Sequence, residues 1–155
     1  MRNDKGELDL TKLSQVAANQ AVKMFEIKLS QGAKPGKGGI LPGSKVTAEI
    51  AQIRGIPEGQ ASMSPNRHVE LDSADALLEM IHNVRECTGK PVGIKFVMGD
   101  TQWLRDLFSL INTRGSESAM DFITLDSGDG GTGAAPLALM AVSYTHLRAH
   151  ETSRY

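Results

Sequence analysis

The segment PVGIKFVM, residues 91–98, decides the fold. This short apolar run lies between Gly89 and the pair Gly99-Asp100, as is typical of a strand buried on both faces of a parallel sheet. Lys95 is its one charged residue. A buried ammonium group needs an acidic partner, a route to the strand end or an anionic ligand, because an unpaired buried charge costs much free energy. Of these three alternatives, we predict that Lys95 contacts an anionic ligand.

Helical and strand-like patterns alternate on both sides of this segment. Ser73 is a predicted N-cap for a helix over residues 74–87, and Gly89 is its predicted C-terminal stop. Further helices are predicted over residues 8–19, 46–54, 101–112 and 134–142, and further strands over residues 23–29 and 120–125. Apolar strands that alternate with helices indicate a parallel α/β protein. Three strands are too few to close a barrel or to form a doubly wound sheet, so we expect a fragment.

Composition excludes several classes of function. The chain has 155 residues, the size of one domain, and a net charge of -1, which does not favour binding to nucleic acid or a membrane surface. The single cysteine, Cys87, permits no internal disulfide and no cysteine-based zinc site, and no metal site is predicted. There is no apolar run of ~20 residues and no apolar signal-peptide core. We therefore predict a cytoplasmic protein.

A basic, glycine-rich loop follows the strand predicted over residues 23–29. Lys28, Gln31, Lys34 and Lys37 offer donors to a carboxylate or phosphate, although a solvated basic loop has the same composition. A P-loop is excluded, because the spacing before Lys37 is one residue short. In parallel α/β proteins such loops lie at the carboxyl ends of the strands, where ligands bind.

A second glycine-rich loop, residues 128–133, has the sequence GDGGTG after a predicted strand and before a predicted helix. The backbone N–H groups of such a loop can hold a phosphate at a helix N-terminus. A flavin phosphate, a dinucleotide and a plain turn are the alternatives. The dinucleotide reading requires an acid ~20 residues further on, and only Glu151 stands there.

Several strings together resemble the FMN-binding synthase domain of glutamate synthases. They are EIKLSQGAKPG at residues 26–36, LPG at 41–43, VGIK at 92–95 and DGGTGA at 129–134. The resemblance is collinear from about residue 5 to residue 142, and it is greatest to single-domain members of this family. It implies a domain over residues 1–142 that forms part of a (β/α)8 barrel, the TIM-barrel fold. Residues 143–155 instead resemble the translated adapter read-through found at the ends of some reading frames.

The resemblance also implies an activity. The family uses FMN to reduce 2-iminoglutarate, formed from 2-oxoglutarate and ammonia, to L-glutamate. It implies that Lys95 is the catalytic cation beside the flavin. The positions implied to bind substrate are Lys28, Gln31, Lys34 and Arg54. The positions implied to hold the cofactor, besides Lys95, are Asp126, Gly128, Gly130, Gly131, Thr132 and Gly133.

The sequence also departs from the family. Ile40 stands where large members carry a glutamine that contacts substrate, and the iron–sulfur cysteines and the glutaminase domain have no counterpart in these residues. Ammonia would then come from elsewhere, and no iron–sulfur cluster is expected. The electron donor is not predicted. The alternatives are a non-catalytic flavin- or phosphate-binding module and an NAD-binding Rossmann domain.

Overall fold

The computed structural model describes residues 1–3, 5–32, 39–64 and 67–126. The chain divides into two compact units, the first made of residues 1–31 and 68–126 and the second of residues 32–67 and 127–155. The described helices and strands, in chain order, are α1 (Leu10–Ala17), β1 (Phe25–Lys28), β2 (Ile40–Leu41), α2 (Ala48–Arg54), β3 (Ser62–Met63), α3 (Ala74–Thr88), β4 (Val92–Val97), α4 (Gln102–Arg114) and β5 (Phe122–Asp126).

The first unit is built on a parallel sheet with the strand order β1-β4-β5. Lys28 of β1 lies beside Lys95 of β4, and Lys95 lies beside Thr124 of β5. Since all three strands run in the same direction, their carboxyl ends meet at one edge of the sheet. The loops that follow them begin at that edge.

Helix α3 has the N-cap and the C-terminal glycine that the sequence predicts. The Ser73 hydroxyl accepts a 3.1 Å hydrogen bond from the Ala76 amide at the start of α3, and Gly89 ends this helix with a φ of 62°. Only glycine adopts that left-handed conformation without steric cost. Asp9 caps α1 by accepting a hydrogen bond from the Lys12 amide, and this bond is the main reason that the Asp9 pKa is lowered.

The sheet has one apolar face and one polar face. Every second side chain of β1 and β4 lies on the apolar face, where these side chains form the core with α1, α3 and α4. Its most deeply buried members include Val92, Ile94 and Phe96. We call the opposite side the polar face; its members are Glu26, Lys28, Gly93, Lys95, Val97, Phe122, Thr124 and Asp126.

A close contact packs the amino-terminal half of the polar face. Gly93 lies beside Phe122, and a Cβ atom at Gly93 would come within 2.3 Å of the Phe122 ring. Only glycine therefore leaves room for the ring in this position. The ring contact ties β4 to β5 near their beginnings.

Arg85 and Asp121 form a clamp at the amino end of the sheet. Asp121 accepts hydrogen bonds from the Val92 amide at 2.7 Å and from Arg85 Nη2 at 3.1 Å. Arg85 also donates to the carbonyls of Glu117 and Ala119. The bond from the Val92 amide, followed by the interaction with Arg85, lowers the pKa of Asp121.

Lys90 anchors the connection between α1 and β1 at the same end. Its Nζ atom lies 2.6, 3.3 and 2.5 Å from the carbonyl oxygens of Ala17, Asn19 and Val22. An ammonium group has three N–H donors and no acceptor, so these three carbonyls match its capacity.

The described part of the second unit contains a pair of short antiparallel strands, a 3-10 helix over Gly43–Lys45 and the helix α2. β2 pairs antiparallel with β3, with Ile40 opposite Met63. The Thr47 hydroxyl caps α2, which ends at Gly55 with a φ of 64°. Gly43 packs so closely on Gly59 that a Cβ atom would come within 2.2 Å of the Gly59 carbonyl oxygen.

The parallel α/β architecture predicted from sequence is confirmed as a three-stranded sheet with helices. The helix predicted over residues 8–19 is shorter in the structure, where α1 spans Leu10–Ala17. The antiparallel pairing of β2 with β3 was not predicted; both strands fall in stretches interpreted as loop. The helix predicted over residues 134–142 lies outside the described residues. Among those residues, no helix has the length and apolar character needed to cross a membrane.

Candidate functional site

Charged side chains collect on the polar face at the carboxyl edge of the sheet. Lys28 is the last residue of β1, and Asp126 is the last residue of β5. Lys95 of β4 lies between these strands, with its Nζ atom 3.6 Å from Asp126 Oδ2. This separation is longer than a normal charge-assisted hydrogen bond, so the pair is held loosely.

Lys28 has neighbours that fix its position. Its ammonium group donates a hydrogen bond to the side-chain oxygen of Gln31, and its backbone carbonyl lies 2.8 Å from His68 Nε2. Because a carbonyl oxygen only accepts hydrogen bonds, His68 Nε2 carries the proton. The structure thus brings together two of the predicted substrate residues, Lys28 and Gln31.

His68 was missed by the sequence interpretation. It lies 40 residues after Lys28, and no local pattern links the two positions. Ser30 was also missed, and its hydroxyl accepts a 2.9 Å hydrogen bond from the Val97 amide. Together with the bond from the Leu29 amide to the Lys95 carbonyl, this contact holds the end of β1 against β4.

Glu26 also lies on the polar face, two residues before Lys28. Its Oε2 atom accepts a 2.6 Å hydrogen bond from the Thr124 hydroxyl of β5, across the intervening strand β4. The side chain is exposed. The alternation of residues 25–28 predicts that Glu26 and Lys28 share a face, but not that Glu26 contacts β5.

The other predicted site residues belong to the second unit or lie outside the described residues. Arg54 is the last residue of α2 in the second unit, where it is exposed. Lys34 lies outside the described ranges, and so do Gly128, Gly130, Gly131, Thr132 and Gly133. Within those ranges there is no cluster of three or more His, Cys, Asp or Glu side chains that could hold a metal ion.

A cavity of about 230 Å³ adjoins β1 and is lined by both apolar and polar side chains. Lys28, Glu26 and His68 contribute to its wall, together with Arg2. Arg2 also binds Glu70, 2.6 Å away. Partial burial raises the pKa of Glu70, but hydrogen bonds from the Leu8 amide and Arg2 outweigh it, so the pKa is lowered.

The chemistry of the carboxyl edge is that of an anion site with an acid beside it. Lys28 and Lys95 stand side by side on neighbouring strands, where two like charges repel. A bound anion relieves that repulsion. The two lysines therefore suit a ligand that carries carboxylate or phosphate groups.

Comparison with known proteins assigns the family. Residues 15–144 match the family defined by the conserved region in glutamate synthase. The chain belongs to the glutamate synthase family. The resemblance predicted from the sequence is thereby confirmed.

Individual members of the glutamate synthase family match most of the chain. The glutamate synthase large subunit-like protein YerD of Bacillus subtilis is 39% identical over 135 residues, which is 87% of this chain and 25% of that protein. The archaeal glutamate synthase [NADPH] of Methanocaldococcus jannaschii is 42% identical over 72% of this chain and 21% of its own length. The chloroplastic ferredoxin-dependent glutamate synthase of Oryza sativa is 35% identical over 75% of this chain and 7% of its own length. The chain thus spans a quarter or less of these relatives.

Proposed function

We propose that this chain is part of an FMN-dependent oxidoreductase that reduces 2-iminoglutarate, formed from 2-oxoglutarate and ammonia, to L-glutamate. The observation that carries the proposal is the position of Lys28 and Lys95, side by side at the carboxyl edge of a parallel sheet, in a chain of the glutamate synthase family. Carboxyl edges of parallel strands are where α/β enzymes bind their ligands.

The proposed architecture is a partial (β/α)8 barrel over residues 1–142, in the cytoplasm, with residues 143–155 outside the domain. In a barrel the polar face would be the interior, and β1 and β5 would each pair with a further strand. The partly exposed side chains of Ile123 and Leu125 on β5 support this proposal, because they leave an apolar surface for a further helix.

The donors on the polar face fit FMN. Lys95 would stand beside the flavin ring, where its positive charge stabilises the negative charge of the reduced state. Asp126 would orient that ammonium group, since the two charged groups are 3.6 Å apart. The loop with Gly128, Gly130, Gly131, Thr132 and Gly133 would hold the phosphate. When bound, FMN supplies the hydride.

The substrate is proposed to lie on the β1 side of the cofactor. A carboxylate of the substrate would bind to Lys28, with Gln31 holding the Lys28 ammonium group in place. Lys34 and Arg54 are proposed as substrate residues on the family resemblance alone. Among relatives, the names specify NADPH for the Methanocaldococcus jannaschii protein and ferredoxin for the Oryza sativa protein. One of these two classes of electron donor is proposed here as well.

The test begins with the complete reading frame that carries this chain, purified and examined by visible absorption. We expect bound flavin, released as FMN on denaturation, and glutamate formation from 2-oxoglutarate, ammonium and a chemical reductant. A flavoprotein that forms no glutamate would instead be the non-catalytic flavin-binding module. A colourless protein that binds NAD would contradict the proposal entirely.

Variants then test the substrate side. Lys28→Ala should raise the KM for 2-oxoglutarate about tenfold or more, because it removes a charge-assisted hydrogen bond to a carboxylate. Lys23→Ala is the matched control, since Lys23 is an exposed lysine just before β1. Equal KM values for the two variants would remove Lys28 from the site.

A further inference from the structure

The carboxylate of Glu26 contacts a neutral group although cationic side chains share its face of the sheet. It lies on the face that carries Lys28 and Lys95, yet its hydrogen bond is to the neutral hydroxyl of Thr124, at 2.6 Å. In the described part of the chain, the ion pair of Lys95 is with Asp126 instead. Glu26 is thus a fixed anion among cations whose own contacts are with other groups.

The geometry holds this carboxylate over the middle of the polar face. Glu26 lies beside Gly93, which has no side chain, and it reaches past β4 to Thr124 on β5. One hydrogen bond uses one of the approximately four acceptor positions of a carboxylate. The exposed side chain therefore presents further acceptor positions beside Lys95.

The proposed reaction needs an acceptor of this kind. Ammonium and a 2-oxo acid condense with loss of water to give an iminium ion, so the nitrogen carries positive charge as ammonium and again as iminium. Lysine and arginine only donate hydrogen bonds, and they repel a cation. The two acids on the polar face differ in their neighbours: the ammonium group of Lys95 lies 3.6 Å from Asp126 and repels a cationic ligand there, whereas the described contact of Glu26 is with a neutral hydroxyl. We therefore assign the nitrogen to Glu26.

We propose that Glu26, held by Thr124, is the binding residue for the nitrogen substrate, first as ammonium and then as the iminium group. This inference rests on the proposed function. It divides the polar face into two tasks: cations hold the carboxylates of the substrate, and the Glu26 carboxylate holds its nitrogen. The hydroxyl of Thr124 fixes the direction in which the remaining acceptor positions point.

The test uses Glu26→Gln, which keeps the length of the side chain and an oxygen for Thr124 but removes the charge. We expect the KM for ammonium to rise about tenfold or more, since a charge-assisted hydrogen bond is lost. The KM for 2-oxoglutarate and the FMN content should stay within about twofold of wild type. Glu86→Gln, an exposed glutamate of α3 on the other side of the sheet, is the matched control.

A second measurement does not need turnover. Ammonium chloride should raise the thermal unfolding midpoint of the wild-type holoenzyme above its value in equal sodium chloride, because a ligand stabilises the state that binds it. Glu26→Gln should lose this difference, and Glu86→Gln should keep it. If Glu26→Gln does not fold, Thr124→Val replaces it in both experiments, with an expected rise in the KM for ammonium of about threefold.

The outcomes separate the two proposals. A wild-type protein that forms no glutamate contradicts the proposed function, and the salt comparison still decides whether Glu26 binds ammonium. A wild-type enzyme that forms glutamate, with an unchanged KM for ammonium and an unchanged salt difference in Glu26→Gln, overturns the role of Glu26 and leaves the proposed function in place.

Discussion

The two ends of the parallel sheet use charged side chains in opposite ways. At the amino end, Asp121 accepts hydrogen bonds from Arg85 and from the buried Val92 amide, and Lys90 donates to three carbonyls. Towards the carboxyl end, the ammonium group of Lys95 lies 3.6 Å from Asp126, and over the middle of the polar face Glu26 contacts a neutral hydroxyl.

The difference separates stability from ligand binding. A charge whose hydrogen-bonding capacity is filled by its own chain holds the fold together and has little left for a ligand. A charge with a long or neutral contact exchanges that contact for a ligand at low cost. The amino end should therefore respond to substitution in unfolding experiments, and the carboxyl end in activity measurements.

The largest expected effect tests the carboxyl end. Lys95→Ala should lower the turnover number about a hundredfold, because it removes a preorganised charge beside the reacting group. The thermal unfolding midpoint should change little, since the contact with Asp126 is long. Lys95→Arg, which keeps the charge, should lose less activity, and Lys23→Ala should lose none. Unchanged flavin reduction and product formation in Lys95→Ala would remove Lys95 from the catalytic role.

The next effect tests the amino end. Asp121→Ala should lower the free energy of unfolding by about 2 kcal/mol, because the Val92 amide loses its acceptor inside the fold. Asp106→Ala, at an exposed position of α4, should cost about 0.5 kcal/mol or less. Urea titration of the complete protein measures both values. An equal loss of unfolding free energy in Asp121→Ala and Asp106→Ala would show that the clamp of Arg85 and Asp121 adds nothing to stability.

A somewhat smaller effect is expected at Lys90. Lys90→Met keeps the length of the side chain and removes its three hydrogen bonds, so the free energy of unfolding should fall by about 1.5 kcal/mol. Lys23→Met is the control in the same connection. Hydrogen exchange should also quicken in residues 18–24 of the Lys90 variant alone; unchanged exchange there would contradict the anchoring role.

The smallest effect is a dependence on pH. The pKa of Asp121 is lowered below its ordinary value of 3.8, so its contribution to stability is complete above that value and is lost as the pH falls through the lower, folded value. The difference in unfolding free energy between wild type and Asp121→Asn should thus be constant above about pH 5 and shrink below about pH 4. For the control variant Ser116→Ala, the difference in unfolding free energy from wild type should not change with pH. If the difference between wild type and Asp121→Asn instead grew as the pH fell, it would contradict the lowered pKa of Asp121.

Local chemistry is what the sequence predicts well. Ser73 and Gly89 mark the ends of α3 because a cap and a left-handed residue act on the nearest turn of the helix. The apolar run around Lys95 likewise identifies β4 without knowledge of its neighbours. Strand direction then predicts that the loops after the strands lie at one edge of the sheet, whereas the position of Lys28 beside Lys95 depends on strand order and register.

Contacts between distant segments are what the sequence leaves open. Ile40 and Met63 pair in strands of two residues each, which are too short for a periodic pattern. Glu26 and Thr124 are 98 residues apart, and the His68 side chain, which lies in a loop, forms a hydrogen bond with the Lys28 carbonyl. Such pairs depend on register and on the path of the chain, neither of which a single sequence encodes locally.

Lys90 has a consequence for the ions that the fold requires. Three carbonyl oxygens that converge on one positive charge are the arrangement with which proteins coordinate a cation, and here the cation is covalently part of the chain. A tethered cation cannot be diluted, chelated or exchanged. The connection between α1 and β1 therefore needs no bound ion as its anchor, and it does not compete for the ammonium that the polar face is proposed to bind.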